Sequence, residues 1–379
     1  MITCLLGTRA QLIKMAPILR ELEGRGVPYH MVLTGQHRET MDDLFADFRL
    51  CTRPLYVYAG GEVTSPLSMG RWFVHCMRRL LRERAKFLPV EPGARNIVVV
   101  HGDTFSTLLG AIAGRICRLE VGHVEAGLRS FSLLQPFPEE LTRRVVSYLS
   151  DVAFCPGEWA CRNVERFRHE RIDTVHNTLL DCVNYVLRTP EIEAPHAPQG
   201  PYAVASIHRF ENIFFRRRLA TIVSYVERAA QRCPIQFVLH PATREKLAAG
   251  GHMPRLEANP RIRLLPRMGY VDFLRTLRRA RFVITDGGSN QEELSYLGVP
   301  TLLMRKATER REGLESTATL WRFDEAAFEG FLDRVEEERT DRGPLAGVSP
   351  AAIVADCLQR YAYTVPAGSA GETGSPAPE

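Results

Sequence analysis

The chain of 379 residues has no stretch of the roughly eighteen apolar residues that a membrane-spanning helix needs, so neither a membrane span nor a membrane partner is expected. Its opening, MITCLLGTRAQLIK, is apolar only from Met1 to Leu6 before Gly7 and Arg9 interrupt it, and no secretory leader is expected. The nine cysteines are odd in number, scattered, and include no C-x-x-C pair. That pattern predicts neither a disulfide framework nor a zinc ribbon and fits a reducing, cytoplasmic setting. The dense basic stripe of a nucleic-acid partner is also missing: the net charge is only +5, and arginines fall in short clusters such as Arg78–Arg84 and Arg216–Arg218. Gly7-Thr8-Arg9 lacks the spaced glycines of a dinucleotide loop, and no zinc or calcium ligand spacing occurs. No cofactor and no metal are therefore expected.

What is present is an ordinary globular composition, 45% hydrophobic and 25% charged, at about twice the usual domain length. Short apolar runs alternate with amphipathic stretches. Ile2–Leu6, Tyr29–Leu33, Asn96–Val100, Val121–Val124 and Val152–Cys155 read as strands, with helices predicted over Ala10–Leu22, Pro66–Phe87, Ser106–Cys117 and Glu139–Leu149. Arg188–Pro201, with four prolines and no periodicity, reads as a linker. The alternation then resumes with Tyr202–Ile207, Gln236–Leu239, Ile262–Leu265, Phe282–Thr285 and Thr301–Met304, and a last helix over about Ala351–Tyr361. The expected class is α/β, with two Rossmann-like, doubly wound parallel-sheet domains at 1–187 and 201–363. A linker at 188–200 and a Pro/Gly/Ser tail at 364–379 complete the chain.

In such domains ligands gather at the carboxyl ends of strands, so the residues following each strand matter most. After the first come Gly7-Thr8-Arg9 and then Lys14, which suit an anion at a helix N-terminus but equally a tight turn with a solvated lysine. Asp103 and Glu125 follow later strands, and Glu139 opens a helix that carries Arg143. Any one carboxylate could simply cap a helix. Three converging on one sheet edge form a candidate acid/base set, because like charges held close push pKa values apart. In the second half, His208 and His240 follow strands. Thr285-Asp286-Gly287-Gly288-Ser289 then exposes backbone amides at a strand-to-helix turn, a cradle for phosphate. Glu293, one turn on, can reach a ribose diol; the alternative is a glycine turn with a solvated acidic face. Lys306 and Arg311 read as a charged surface turn.

Eight runs, GTRAQLIKMAP, TGQHRETM, VVVHGDTFST, VGHVEAGLRS, PFPEELTRR, SIHRFEN, TDGGSNQEELSYLGVP and MRKATERREGL, resemble in order those of the UDP-N-acetylglucosamine 2-epimerases, over about residues 1–362. The resemblance implies a site between two domains in the manner of one large glycosyltransferase group and a UDP-sugar substrate; the apolar helices of the first domain make a homodimer the expected assembly. It implies that Asp103, Glu125 and Glu139 are catalytic carboxylates, with Arg143 one helical turn on. His208 matches the family's essential histidine, and Arg9 and Lys14 lie near diphosphate and sugar. Gly287, Gly288, Ser289, Glu293 and Arg310 match nucleotide contacts, while Gln36 and His37 match a second, activating UDP-N-acetylglucosamine site. The implied reaction expels UDP as a carboxylate removes the C2 proton, passes through 2-acetamidoglucal, and re-adds UDP after reprotonation on the other face. A hydrolysing epimerase, a glycosyltransferase and an idle nucleotide-sugar sensor are the rival readings. The chain departs from the family's G-T-R-P-E-A-I-K at Ala10 and Gln11, from D-S-G-G at Gly287–Ser289, from H-R-R-E at Phe210, and from G-N-T at His176.

Overall fold

The computed structural model describes residues 1–35, 41–60, 66–131, 138–189, 200–308, 310–314, 316–335, 343, 345 and 347–363. The chain forms two compact units, Met1–Asp181 with the segment from Val348, and Cys182–Gly347. The first contains a seven-stranded sheet of β1 (Ile2–Leu6), β2 (Tyr29–Leu33), β3 (Leu55–Tyr56), β4 (Ile97–His101), β5 (Glu120–Val124), β6 (Val152–Cys155) and β7 (Glu170–Asp173). The spatial order is β3-β2-β1-β4-β5-β6-β7, and every pairing is parallel. β1, β4 and β6 are buried along their whole length. Sheets covered by helices on both faces select such unbroken Ile/Val-rich runs rather than alternation.

The second unit repeats the plan with β8 (Ala203–Ser206), β9 (Ile235–Leu239), β10 (Ile262–Pro266), β11 (Val283–Thr285), β12 (Thr301–Leu303) and β13 (Ala318–Leu320). Its order is β10-β9-β8-β11-β12-β13, again wholly parallel. In each sheet the winding reverses at one place, between β1 and β4 and between β8 and β11. Diverging loops leave a crevice at such a switch point, and ligands of doubly wound sheets bind there. Among the described residues no helix is long and apolar enough to cross a membrane.

The expected domain boundaries need correction at both ends. The division falls at Asp181, inside the helix Leu179–Arg188, rather than in the proline-rich segment. The final helix, Pro350–Tyr363, belongs to the first unit, not the second. Asp181 receives Ser349 Oγ at 2.7 Å and the Ala351 amide at 2.8 Å, and Arg25 pairs with Asp356. Val354, Ala355, Cys357 and Leu358 are buried. Periodicity marks this segment as a helix, but it carries no information on which unit the buried face joins.

Candidate active site

Three loops meet at the switch point of the first sheet. Thr8 caps the helix Arg9–Gly24 in a reciprocal box with Gln11. Gln11 also donates to the His101 carbonyl at 2.6 Å and to Thr107 Oγ1 at 2.9 Å, joining the β1 and β4 loops. A glutamate there would accept from the cap but could not make those two donations. Gly7 lies so close to the β4 side that an added Cβ would stand 1.7 Å from Ser106 Oγ.

Lys14, buried on the same helix, donates to both oxygens of Glu125, at 2.7 and 2.6 Å. Glu125 also accepts from Asn177 Nδ2 at 2.9 Å, and His101 Nε2 lies 3.3 Å from it. The pair is nearly sealed from solvent, with side-chain exposures of 8% and 6%. Glu125 sits in the left-handed region, φ 63°, which costs a residue with a Cβ about 1–3 kcal/mol and is concentrated at functional sites. The fold thus holds a carboxylate, already fixed by three neighbours, against a conformational cost. Asn177 belongs to the H-N-T run but was not expected at the site; its neighbour Thr178 anchors the same helix through the Lys14 carbonyl at 2.6 Å.

Asp103, after β4, pairs with Arg143 on the helix Glu139–Leu149. Glu139 is the first residue of that helix, one turn before Arg143. Glu140 is the unexpected member. Consecutive helical residues point about 100° apart, and Glu140 turns fully inward. It accepts from Arg129 Nε at 2.6 Å and from the Ser130 amide at 3.1 Å, and its Oε2 lies 3.7 Å from Arg143. Glu140 thus ties the Arg129–Ser130 segment to the start of this helix and places its charge beside Arg143. Arg9, by contrast, is clamped through both terminal nitrogens on Asp43.

His123, on β5, contacts the Gly102 carbonyl at 2.7 Å through Nε2, which must carry the proton in that bond. Burial pushes its pKa down to about 4. A depressed folded pKa means the unfolded chain binds the proton more readily. The stabilisation from the neutral ring is complete above about pH 6.5 and is lost as pH falls through about 4. This one group is expected to remove about 3 kcal/mol of stability on that descent. Urea titrations at several pH values test it: a His123→Asn variant should show a shallower loss, and an identical slope would reject the assignment.

In the second unit, the loops after β8 and β11 meet. Asp286 is fully buried and accepts the backbone amides of His208 at 3.0 Å and Arg209 at 3.0 Å, and Asn212 Nδ2 at 2.8 Å. The His208 ring, Nδ1 3.3 Å from Asp286, stays 42% exposed. Asp286 belongs to the TDGGSNQEELSYLGVP run, and the fold makes it the clasp of the His208 loop. Gly287 caps the helix Gly288–Leu297, whose first turn no side chain caps. A Cβ on Gly287 would come within 2.4 Å of Asn290 Oδ1 and 3.1 Å of His208 Cε1. Bare amides at a helix N-terminus, with Ser289 in the first turn and an exposed imidazole beside them, suit a phosphate group. Glu293 accepts from the Tyr270 hydroxyl at 2.8 Å and Asn290 Nδ2 at 3.0 Å, and Arg310 pairs with buried Glu292. Gln36 and His37 lie outside the described residues.

The family model described as UDP-N-acetylglucosamine 2-epimerase matches residues 20–339. The UDP-N-acetylglucosamine 2-epimerase of Methanocaldococcus jannaschii is 31% identical over 331 residues, covering 84% of this chain and 87% of the relative. The UDP-2,3-diacetamido-2,3-dideoxy-D-glucuronate 2-epimerase of Pseudomonas aeruginosa is 30% identical, covering 81% and 84%. Among solved structures, that of the M. jannaschii UDP-GlcNAc 2-epimerase in complex with UDP-GlcNAc and UDP superposes with a TM-score of 0.78 at 27% identity, over 94% of this chain and 99% of that one.

Proposed function

The chain belongs to the UDP-N-acetylglucosamine 2-epimerase family and is an epimerase, and from that premise we propose that it interconverts UDP-N-acetylglucosamine and UDP-N-acetylmannosamine by eliminating and re-adding UDP. The observation that carries this reading is the pair of fixed carboxylate centres at one switch point: Glu125 held by Lys14 and Asn177, and Asp103 held by Arg143. The C2 proton of the sugar has no adjoining carbonyl, so direct deprotonation is unfavourable. One carboxylate of the Asp103, Glu125 and Glu139 set takes that proton as the C1–O bond breaks. The C2–H electrons become the C1=C2 double bond, and the C1–O pair leaves on UDP. A second carboxylic acid then delivers a proton to the opposite face of C2, and the UDP oxygen re-forms the bond at C1.

Expulsion of UDP develops negative charge on the diphosphate. His208 and the amides of Gly288 and Ser289 are suited to receive it. Arg9 and Arg310 serve the same end in this reading by exchanging their present carboxylate partners for phosphate oxygens. Arg143 orients Asp103. Glu293, placed by Tyr270 and Asn290, serves the ribose in this reading.

Turnover in deuterated water tests the route. Elimination places solvent deuterium at C2 of the product and, on prolonged incubation, releases traces of free UDP and 2-acetamidoglucal. Hydride removal from C2 itself would leave C2 unlabelled, and a 3-keto route would label C2 without releasing UDP or the glucal. Product without deuterium at C2 overturns the proposal. Accumulation of free N-acetylmannosamine with stoichiometric UDP would identify the hydrolysing outcome instead.

A further inference from the structure

The RFENIFFRRR run of the second unit carries an aromatic and basic surface to which the proposed reaction assigns no role. Phe210, Phe214 and Phe215 are 62%, 48% and 56% exposed. Phe210 and Phe214 stack at 4.1 Å, and Phe215 meets Phe210 edge-on at 6.4 Å. Together they leave roughly 300 Å² of aromatic surface in water, the size of a patch that usually has a purpose. Cations ring it. Lys246 lies 4.5 Å over Phe214, and Arg218 lies over Phe215 and, at 4.4 Å, over Phe323. Arg216, Arg217 and Arg218 also occupy the first turn of the helix Arg216–Arg232, which contains no acidic residue there. Cations at the positive end of a helix dipole are destabilising. Among the described residues, the Arg216 and Arg217 side chains have no acidic partner.

We propose that this patch docks the enzyme on an anionic phospholipid surface, with the phenylalanines entering the headgroup boundary and the arginines meeting lipid phosphates. Charge decides among the possible occupants. A second copy would bring like charge against like. Single-stranded nucleic acid needs open ring faces for several bases, but here Phe214 is stacked on Phe210 and lies under Lys246, and Phe215 lies under Arg218. A lipid interface needs only an apolar tip and a cationic collar, the composition of helices that lie in the membrane plane. The attachment is peripheral and reversible.

The test is sedimentation of the full chain with vesicles of phosphatidylcholine alone and of phosphatidylcholine mixed with phosphatidylglycerol. Binding to the anionic vesicles only is expected. R216E/R217E should lower partition by about fivefold for each cation removed, or more. F214S/F215S should lower it roughly tenfold. Both variants should keep the parent's circular dichroism spectrum, since the substituted side chains are exposed. Three results overturn the proposal: no partition onto anionic vesicles, partition indifferent to both variants, or tighter binding to a single-stranded oligonucleotide than to vesicles. Self-association abolished by F214S/F215S would likewise assign the patch to a second copy and reject the lipid.

Discussion

Glu125→Gln slows epimerisation by about 10²–10⁴-fold, the usual worth of a positioned acid or base, while UDP still binds. The amide keeps the size of the carboxylate but cannot take a proton from carbon. It also removes the charge that Lys14 answers at 2.6 Å inside a nearly sealed site. Removing one member of a buried pair is strongly destabilising, so the activity loss must be read beside a thermal melt. Asp103→Asn separates the two effects. Its side chain is 26% exposed, so the fold should tolerate the change and only turnover should fall. Steady-state rates and calorimetric UDP binding on both variants check this. A turnover within tenfold of the parent for both would remove these carboxylates from the proton path.

Asp286→Ala should have the largest effect on the second unit. Three donors, the His208 and Arg209 amides and Asn212 Nδ2, would lose a fully buried acceptor. Each unsatisfied buried group costs about 1–3 kcal/mol; with water entering the space left by the carboxylate, a total near the low end for three groups, about 3–5 kcal/mol, is expected. For a unit of this size that is about 10 °C in Tm. Because the same carboxylate fixes the start of the His208 loop beside Gly287, UDP affinity should fall with stability. Differential scanning calorimetry and UDP titration below the melt provide the two readouts. A variant that melts with the parent would show that the loop finds other acceptors.

Much of this architecture can be read in the sequence, because a parallel sheet covered on both faces demands what β1, β4 and β6 supply: short, unbroken apolar runs. The strands that escape are those with another environment. β7, ERID, is mostly exposed at one edge of its sheet and carries charges that discourage further pairing. β3 and β13 contain two and three residues, too few to establish a period. At the site, chemistry at strand ends pointed to Asp103, Glu125 and His208, since those positions follow from topology. Asn177, Glu140 and Asp286 were harder. Their roles depend on which side chain each meets across 52, 11 and 78 residues of chain, and local pattern does not encode that. Gln11 shows the limit from the other side. At the sequence level it is a missing glutamate; in the fold its amide makes donations a carboxylate could not.

The return of Pro350–Tyr363 to the first unit also sets the order in which the chain can finish folding. The surface of the first unit that this helix covers must wait, through the synthesis of all of Cys182–Gly347, for its covering segment. The unit that begins first at the ribosome is thus completed last. During that interval the face of the helix Arg9–Gly24 that it packs against is open to water and to neighbouring nascent chains, where a chaperone has most to protect.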